Sequence, residues 1–414
     1  MIETEVSSVQ SPPAAEPDAG VRPRFSKKHF ALGFLCVLIL GLGFLYTQRA
    51  KYTGHLAELS RSIIGDENTA RIESWYFSVQ DRFDRTKYAV FGGETNPFEE
   101  DAAELSLATV EVIQPIDSLT HVEIARPAPM PLPEVKPLHD KPAPGEGVWT
   151  TAGLPRSYPD DVLMAKTFIR PDTARPYAVV GVVLVDKRRM RLHITGGTQD
   201  PGGDLGVNGP GVIPEAQRKD LLVAWNGGFR GPHGGYGMYA DGKQYRPLRS
   251  GFASIALLQD GTMKIGEWGR DVTWSPEIEA VRQNAVLLVD NCEVSKRTKE
   301  GNNTWGYVQV NSAEFITWRS AIGLTSNGDL LVAAGNSLSA DSLARALWAA
   351  GACYAMQLDI NTPYVLTSLY LPQPDGTLKA AKFMDTMVDG PGRFFTTQKN
   401  DFMYATWDET NYKP

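Results

Sequence analysis

From residue 177 onward, short apolar runs alternate with turn residues. The runs at 177–185, 190–195, 221–225, 252–258, 263–265, 285–289, 321–325, 330–334, 354–358 and 364–371 read as strands. Turn pairs such as Asp260-Gly261 and Asn327-Gly328 separate several of them, which is a hairpin signal. One helical period stands out at 340–350, where Ser339 is placed to cap and Leu343, Leu347 and Trp348 form one apolar face. Many strands with few helices predict an α+β domain with a largely antiparallel sheet, spanning 148–414.

The pattern before residue 148 is different. Residues 1–29 form a polar, Pro-, Ala- and Ser-bearing tail that ends in the basic cluster Arg22, Arg24, Lys27 and Lys28. An uncharged apolar run follows, from Phe30 to Tyr46, with no small-residue cleavage site after it. This predicts a transmembrane signal anchor over 30–48. The stronger basic flank precedes it, so the tail is expected in the cytoplasm and the C-terminal domain is expected to be exported, to a periplasm or outside the cell.

Residues 49–91 carry apolar positions at helical spacing: Leu56, Leu59, Ile63, Ile64, Ile72, Trp75, Tyr76, Val79 and Phe83. They predict a juxtamembrane helical stalk, with self-association or contact with the membrane as its further roles. Residues 92–147 turn acidic and then proline-rich, which predicts an extended spacer.

Composition narrows the function. The 414 residues carry a formal net charge of −7, and no basic stripe occurs beyond the N-terminus, which excludes a general nucleic-acid binder. Of the three cysteines, Cys292 and Cys353 lie in the exported part, and the sequence leaves their pairing open. No spacing of His, Cys and carboxylates describes a transition-metal site; calcium on loop carboxylates stays open, and no other cofactor is expected.

The candidate chemistry centres on 221–229, an apolar run closed by Asn226-Gly227-Gly228-Phe229. Two glycines at a strand end would bring bare backbone N–H groups close to a ligand. Asn226 adds an amide there. Two further segments follow in order. One is Trp318-Arg319-Ser320-Ala321-Ile322-Gly323, with Gly328-Asp329-Leu330-Leu331 behind it. The other is the helix at 340–350 leading into Gly351-Ala352-Cys353-Tyr354-Ala355-Met356-Gln357-Leu358-Asp359.

Together with a family-type strand at 283–289, this ordered set resembles the phosphodiester glycosidase family over most of 175–365. The resemblance implies cleavage between the anomeric carbon of a sugar and a phosphate. It implies Asp359 and Arg319 as catalytic residues. Asn226, Gly227, Gly228, Arg230 and His233 are then the substrate-binding candidates, and a glycan or sugar phosphate is the substrate. Asp359 would stabilise the oxocarbenium-like centre, act as nucleophile, or activate water. Arg319 would clamp the phosphate through parallel hydrogen bonds.

Two departures mark this chain. Ile360-Asn361-Thr362-Pro363 stands where the family has glycines, and Arg230 stands where it has a second Phe. Loss of the glycines makes a catalytically silent glycan-binding module, or a scaffold for envelope or exopolysaccharide assembly, the rival reading.

Overall fold

The short apolar runs pair as antiparallel strands, and the continuous ones bury both faces, with successive side chains pointing into opposite layers. The computed structural model describes residues 59–60, 63–92, 96–98, 127–156, 161–306, 315–360, 362, 364–373, 375–387 and 390–410. The tail at 1–29, the anchor at 30–48, most of the acidic stretch, and Asn361 and Pro363 lie outside the described residues. Among those described, no helix is long and apolar enough to cross a membrane.

Among the described residues seventeen strands follow in chain order: β1 (Met164–Ile169), β2 (Val180–Val185), β3 (Met190–Thr195), β4 (Leu221–Asn226), β5 (Met238–Ala240), β6 (Lys243–Arg246), β7 (Ala253–Leu258), β8 (Met263–Glu267), β9 (Ile278–Asn284), β10 (Leu287–Asp290), β11 (Glu293–Val294), β12 (Thr317–Thr325), β13 (Leu330–Leu338), β14 (Ala352–Ile360), β15 (Thr367–Pro372), β16 (Leu378–Lys382) and β17 (Phe402–Trp407). The helices among the described residues are α1 (Asp66–Phe91), the single turns α2 (Glu215–Arg218) and α3 (Asn302–Trp305), and α4 (Ala340–Ala349).

The strands form three sheets. Seven run in the order β1-β2-β13-β12-β14-β10-β11, five as β16-β15-β4-β17-β3, and five as β6-β5-β9-β7-β8. Every strand pair in them is antiparallel, as the α+β reading expects.

Alternation in the seven-stranded sheet divides the core. Val183, Ile322, Val332 and Leu358 face a cluster shared with Leu222, Trp225, Leu369 and Met403 of the second sheet. Their neighbours Val182, Ala321, Ala333 and Ala355 face a second cluster built on Leu343 and Leu347 of α4. Ser339 caps α4, with Ser342 answering in a reciprocal box. Cys292 and Cys353 are joined by a disulfide, which settles the pairing that the sequence left open.

Two segments read from the sequence as stalk and spacer lie against the domain instead. On α1, Asp81 accepts from Arg175 Nε (2.9 Å) and from the Tyr177 hydroxyl (2.6 Å), and Phe77 meets Phe315 edge to face. The proline-rich residues 127–147 form a strap. Met130 N–H donates to Val162 O, Lys136 N–H to Ala349 O, and Trp149 Nε1 to Pro133 O. An extended proline-rich backbone has no internal hydrogen bonds, so its polar groups are open to the sheet edge and helix end it passes. The domain's packing therefore begins before residue 148, with Phe98 buried between Phe168 and Phe383.

Candidate active site

Ends of strands from all three sheets meet at one point. β4 delivers Asn226 and Gly227, β14 delivers Asp359, β9 delivers Arg282 and Asn284, and Asp401 stands just before β17. Pairing of Phe402 with Asn226 fixes Asp401 beside the two glycines. The Gly227 backbone stitches the sheets together: its N–H donates to Asp401 O (3.0 Å) and its carbonyl accepts from Asp359 N–H (2.9 Å).

There is no room for a side chain at this crossing. A Cβ on Gly227 would overlap the Asp401 carboxylate, and one on Gly228 would come within 2.8 Å of the Arg282 guanidinium carbon. This corrects the reading of the two glycines as bare donors to a ligand. The Gly228 N–H donates to Asp401 Oδ2 (3.2 Å), so both amides are taken up inside the protein. Asn226 is engaged as well. Its Nδ2 donates to Gly227 O (3.1 Å) and Ser320 Oγ (2.8 Å), and its Oδ1 accepts from Leu366 N–H (3.2 Å). The strand end serves the architecture first.

The chemistry lies in a narrow cleft lined by Asn226, Gly227, Asp359, Tyr364, Arg393, Phe394, Gln398, Asn400, Asp401 and Phe402. Its two carboxylates differ. Asp401 is held by Arg282 through Nε (2.8 Å) and a terminal nitrogen (3.0 Å), a buried two-pronged pair. Arg282 also donates to the carbonyls of Phe229 and Gln283. Among the described residues, the Asp359 carboxylate accepts from the N–H of Ile360 at 2.8 Å.

Burial pushes the Asp359 pKa up to about 7, and the charge of Asp401 adds to the rise. The Ile360 amide, Arg282 and Arg230 oppose it without cancelling it. Asp359 is thus a proton carrier poised near neutrality, with Arg393 across the cleft. Arg393 Nε donates to Gln398 Oε1 (3.0 Å), which fixes the side chain on that wall.

Arg319 does not join this group. It precedes Ser320 on β12, and consecutive strand residues face opposite sides. Ser320 points toward the cleft, where its Oγ donates to Asp359 O (2.8 Å). Arg319 points the other way and donates to the carbonyls of Leu338 (2.9 Å), Trp305 (3.1 Å) and Phe315 (2.8 Å), and to the Gln357 amide oxygen. Its partners among the described residues are all neutral, and burial lowers its pKa to about 9. The expected convergence of Asp359 and Arg319 on one cleft is therefore not seen.

Arg230 pairs with Asp200 (2.9 Å), and its charge reaches Asp359. His233 lies three residues on, its N–H bonded to Arg230 O, outside the cleft lining. Trp225, Trp305 and Tyr236 are buried in the core, outside the cleft lining. Among the described residues, no group of three or more His, Cys, Asp or Glu side chains is placed to hold a metal.

Residues 219–359 match the family model described as phosphodiester glycosidase. Over that segment the chain is similar to a phosphodiester glycosidase domain. The match ends on Asp359, while Arg393 and Asp401, which complete the cleft, lie beyond it. Among solved structures, the chain is similar to the zebrafish N-acetylglucosamine-1-phosphodiester alpha-N-acetylglucosaminidase catalytic domain, auto-inhibited by its pro-peptide. The identity is 16%, over 62% of this chain and 87% of that one, with a TM-score of 0.39. It is also similar to a hypothetical protein from Synechocystis, at 12% identity over 56% and 59% of the two chains, with a TM-score of 0.29. No curated protein sequence matches.

Proposed function

We propose that the phosphodiester glycosidase domain hydrolyses a sugar–phosphodiester bond in a cell-envelope or extracellular glycan, as the exported part of a membrane-anchored chain. The observation that carries the activity is Asp359, buried beside Asp401 in a cleft walled by Arg393, with a pKa of about 7. A phosphate ester leaves as a stable anion and needs charge stabilisation more than a proton. Asp359 therefore works in its ionised form on the anomeric side, as nucleophile or as the base that activates water. Arg393 faces the departing phosphate, and Arg230 adds positive charge nearby.

Anchoring rests on the uncharged run Phe30 to Tyr46 behind its basic flank. Export is supported by the Cys292–Cys353 disulfide, a bond that persists in oxidising compartments.

The test is release of free sugar from a panel of sugar-1-phosphodiesters, followed from pH 5 to pH 9. The expected kcat/KM rises with pH through a midpoint near 7, the value carried by Asp359. Asp359→Asn should lose activity by roughly 10²- to 10⁴-fold. A flat profile together with an active Asp359→Asn would remove this residue from the mechanism.

A further inference from the structure

The helix α1 grips the domain with one face and presents a second apolar face to the outside. Ile72, Trp75, Tyr76, Val79, Phe83 and Val90 are all exposed, from 41% for Tyr76 to 68% for Trp75. At about 100° per residue they fall within roughly 60° of one line along the helix. Phe77, Asp81 and Tyr88, which hold Phe315, Arg175 and Tyr177, fall roughly 140–180° from that line. The docked face is clamped by a buried ion pair, so the apolar stripe is held outward and cannot fold back onto the sheets.

We infer that this stripe lies on a lipid bilayer surface. Two features select that occupant over a second copy of the chain. The stripe is rich in Trp, Tyr and Phe, the side chains that suit the boundary between headgroups and acyl chains. Charge is also sorted around the helix. Arg82 and Lys87, both exposed, lie within about 80° of the line, and no acidic residue of α1 does.

The chain supplies the reason for proximity: the run Phe30 to Tyr46 ends twenty residues before Asp66. The inference rests on the anchor reading of that run. It adds that the domain does not swing on a stalk but is seated on the membrane through α1.

The experiment uses the full chain with Cys36→Ser, spin-labelled at Val79→Cys or, separately, at Phe83→Cys. Each protein is reconstituted in phosphatidylcholine vesicles containing phosphatidylglycerol, and label accessibility to oxygen and to a water-soluble nickel chelate is compared. A label at Asp375→Cys, in an exposed loop, gives the aqueous reference. The expected result is an oxygen-to-nickel ratio severalfold above the reference at both helix positions. An aqueous ratio at both, on chains that stay with the vesicles through carbonate washing, overturns the helix inference alone. Chains that wash off overturn the anchor reading and the inference with it. Dipolar broadening between labels identifies a second copy on the stripe and also overturns it.

Discussion

A buried carboxyl with a raised pKa makes stability depend on pH in a direction opposite to that of a salt-bridged one. Asp359 titrates near 3.8 in the unfolded chain and near 7 in the folded one. Between those values the folded state holds a proton that the unfolded state has lost, so stability falls as pH rises from about 4 to about 7 and then levels off. The separation corresponds to about 4 kcal/mol in all, of which roughly 2.5 kcal/mol falls between pH 5 and pH 8. Asp359→Asn is nearly isosteric with the protonated acid, keeps an oxygen for the Ile360 N–H, and carries no charge at any pH.

The assay is urea unfolding of the purified chain and of the variant, read by tryptophan fluorescence at a series of pH values. Effects of other titrating groups cancel in the difference. The variant's advantage over the parent should grow by about 2.5 kcal/mol from pH 5 to pH 8. A difference constant to within about 0.5 kcal/mol would refute the claim that Asp359 is a desolvated, near-neutral acid.

Four further outcomes follow from the same geometry. Arg282→Met leaves the Asp401 carboxylate buried without its partner and should lower stability by roughly 3–5 kcal/mol in the same urea assay. Asp401→Asn removes the neighbouring negative charge that raises Asp359, so the midpoint of the pH–rate profile should move to lower pH; an upward shift would contradict the assignment. Reducing Cys292–Cys353, which closes a loop over a sequence separation of 61, should cost about 4 kcal/mol, seen as a lower urea midpoint with reductant. Arg319→Lys cannot satisfy the four oxygens that the guanidinium reaches, so it should lower the melting temperature while kcat/KM of the folded fraction stays near that of the parent.

The strands that contact one another through alternation were legible in the sequence. The runs behind β2, β4, β12, β13 and β14 are continuous and apolar, and the capping serine fixed the start of α4. The site was legible only in part. Asp359 was marked by an apolar strand ending in a carboxylate. Asp401 carried no such mark, because the strand it precedes was not read. Arg282 and Asn284 had a faint signal: they are charged and polar side chains closing β9, yet both are fully buried. Arg319 misled because a strand sequence does not say which sheet face holds the reacting groups. That depends on register with Ile360 and on the irregularity beside it, which is a tertiary property.

The same interactions that close the fold also tune its acid. Gly227 lets β14 approach the end of β4 closely enough for the Asp359 N–H to reach its carbonyl, and that contact takes the Asp359 side chain out of water. Arg282 neutralises Asp401 and fastens β9 to the loop after Asn226. Its charge then opposes, at longer range, the rise that burial and Asp401 impose on Asp359. Among the described residues the Ile360 amide is the donor to the carboxylate, and burial prevails. Burial, with the charge of Asp401 added to it, thus keeps the central carboxyl close to half-ionised at neutral pH.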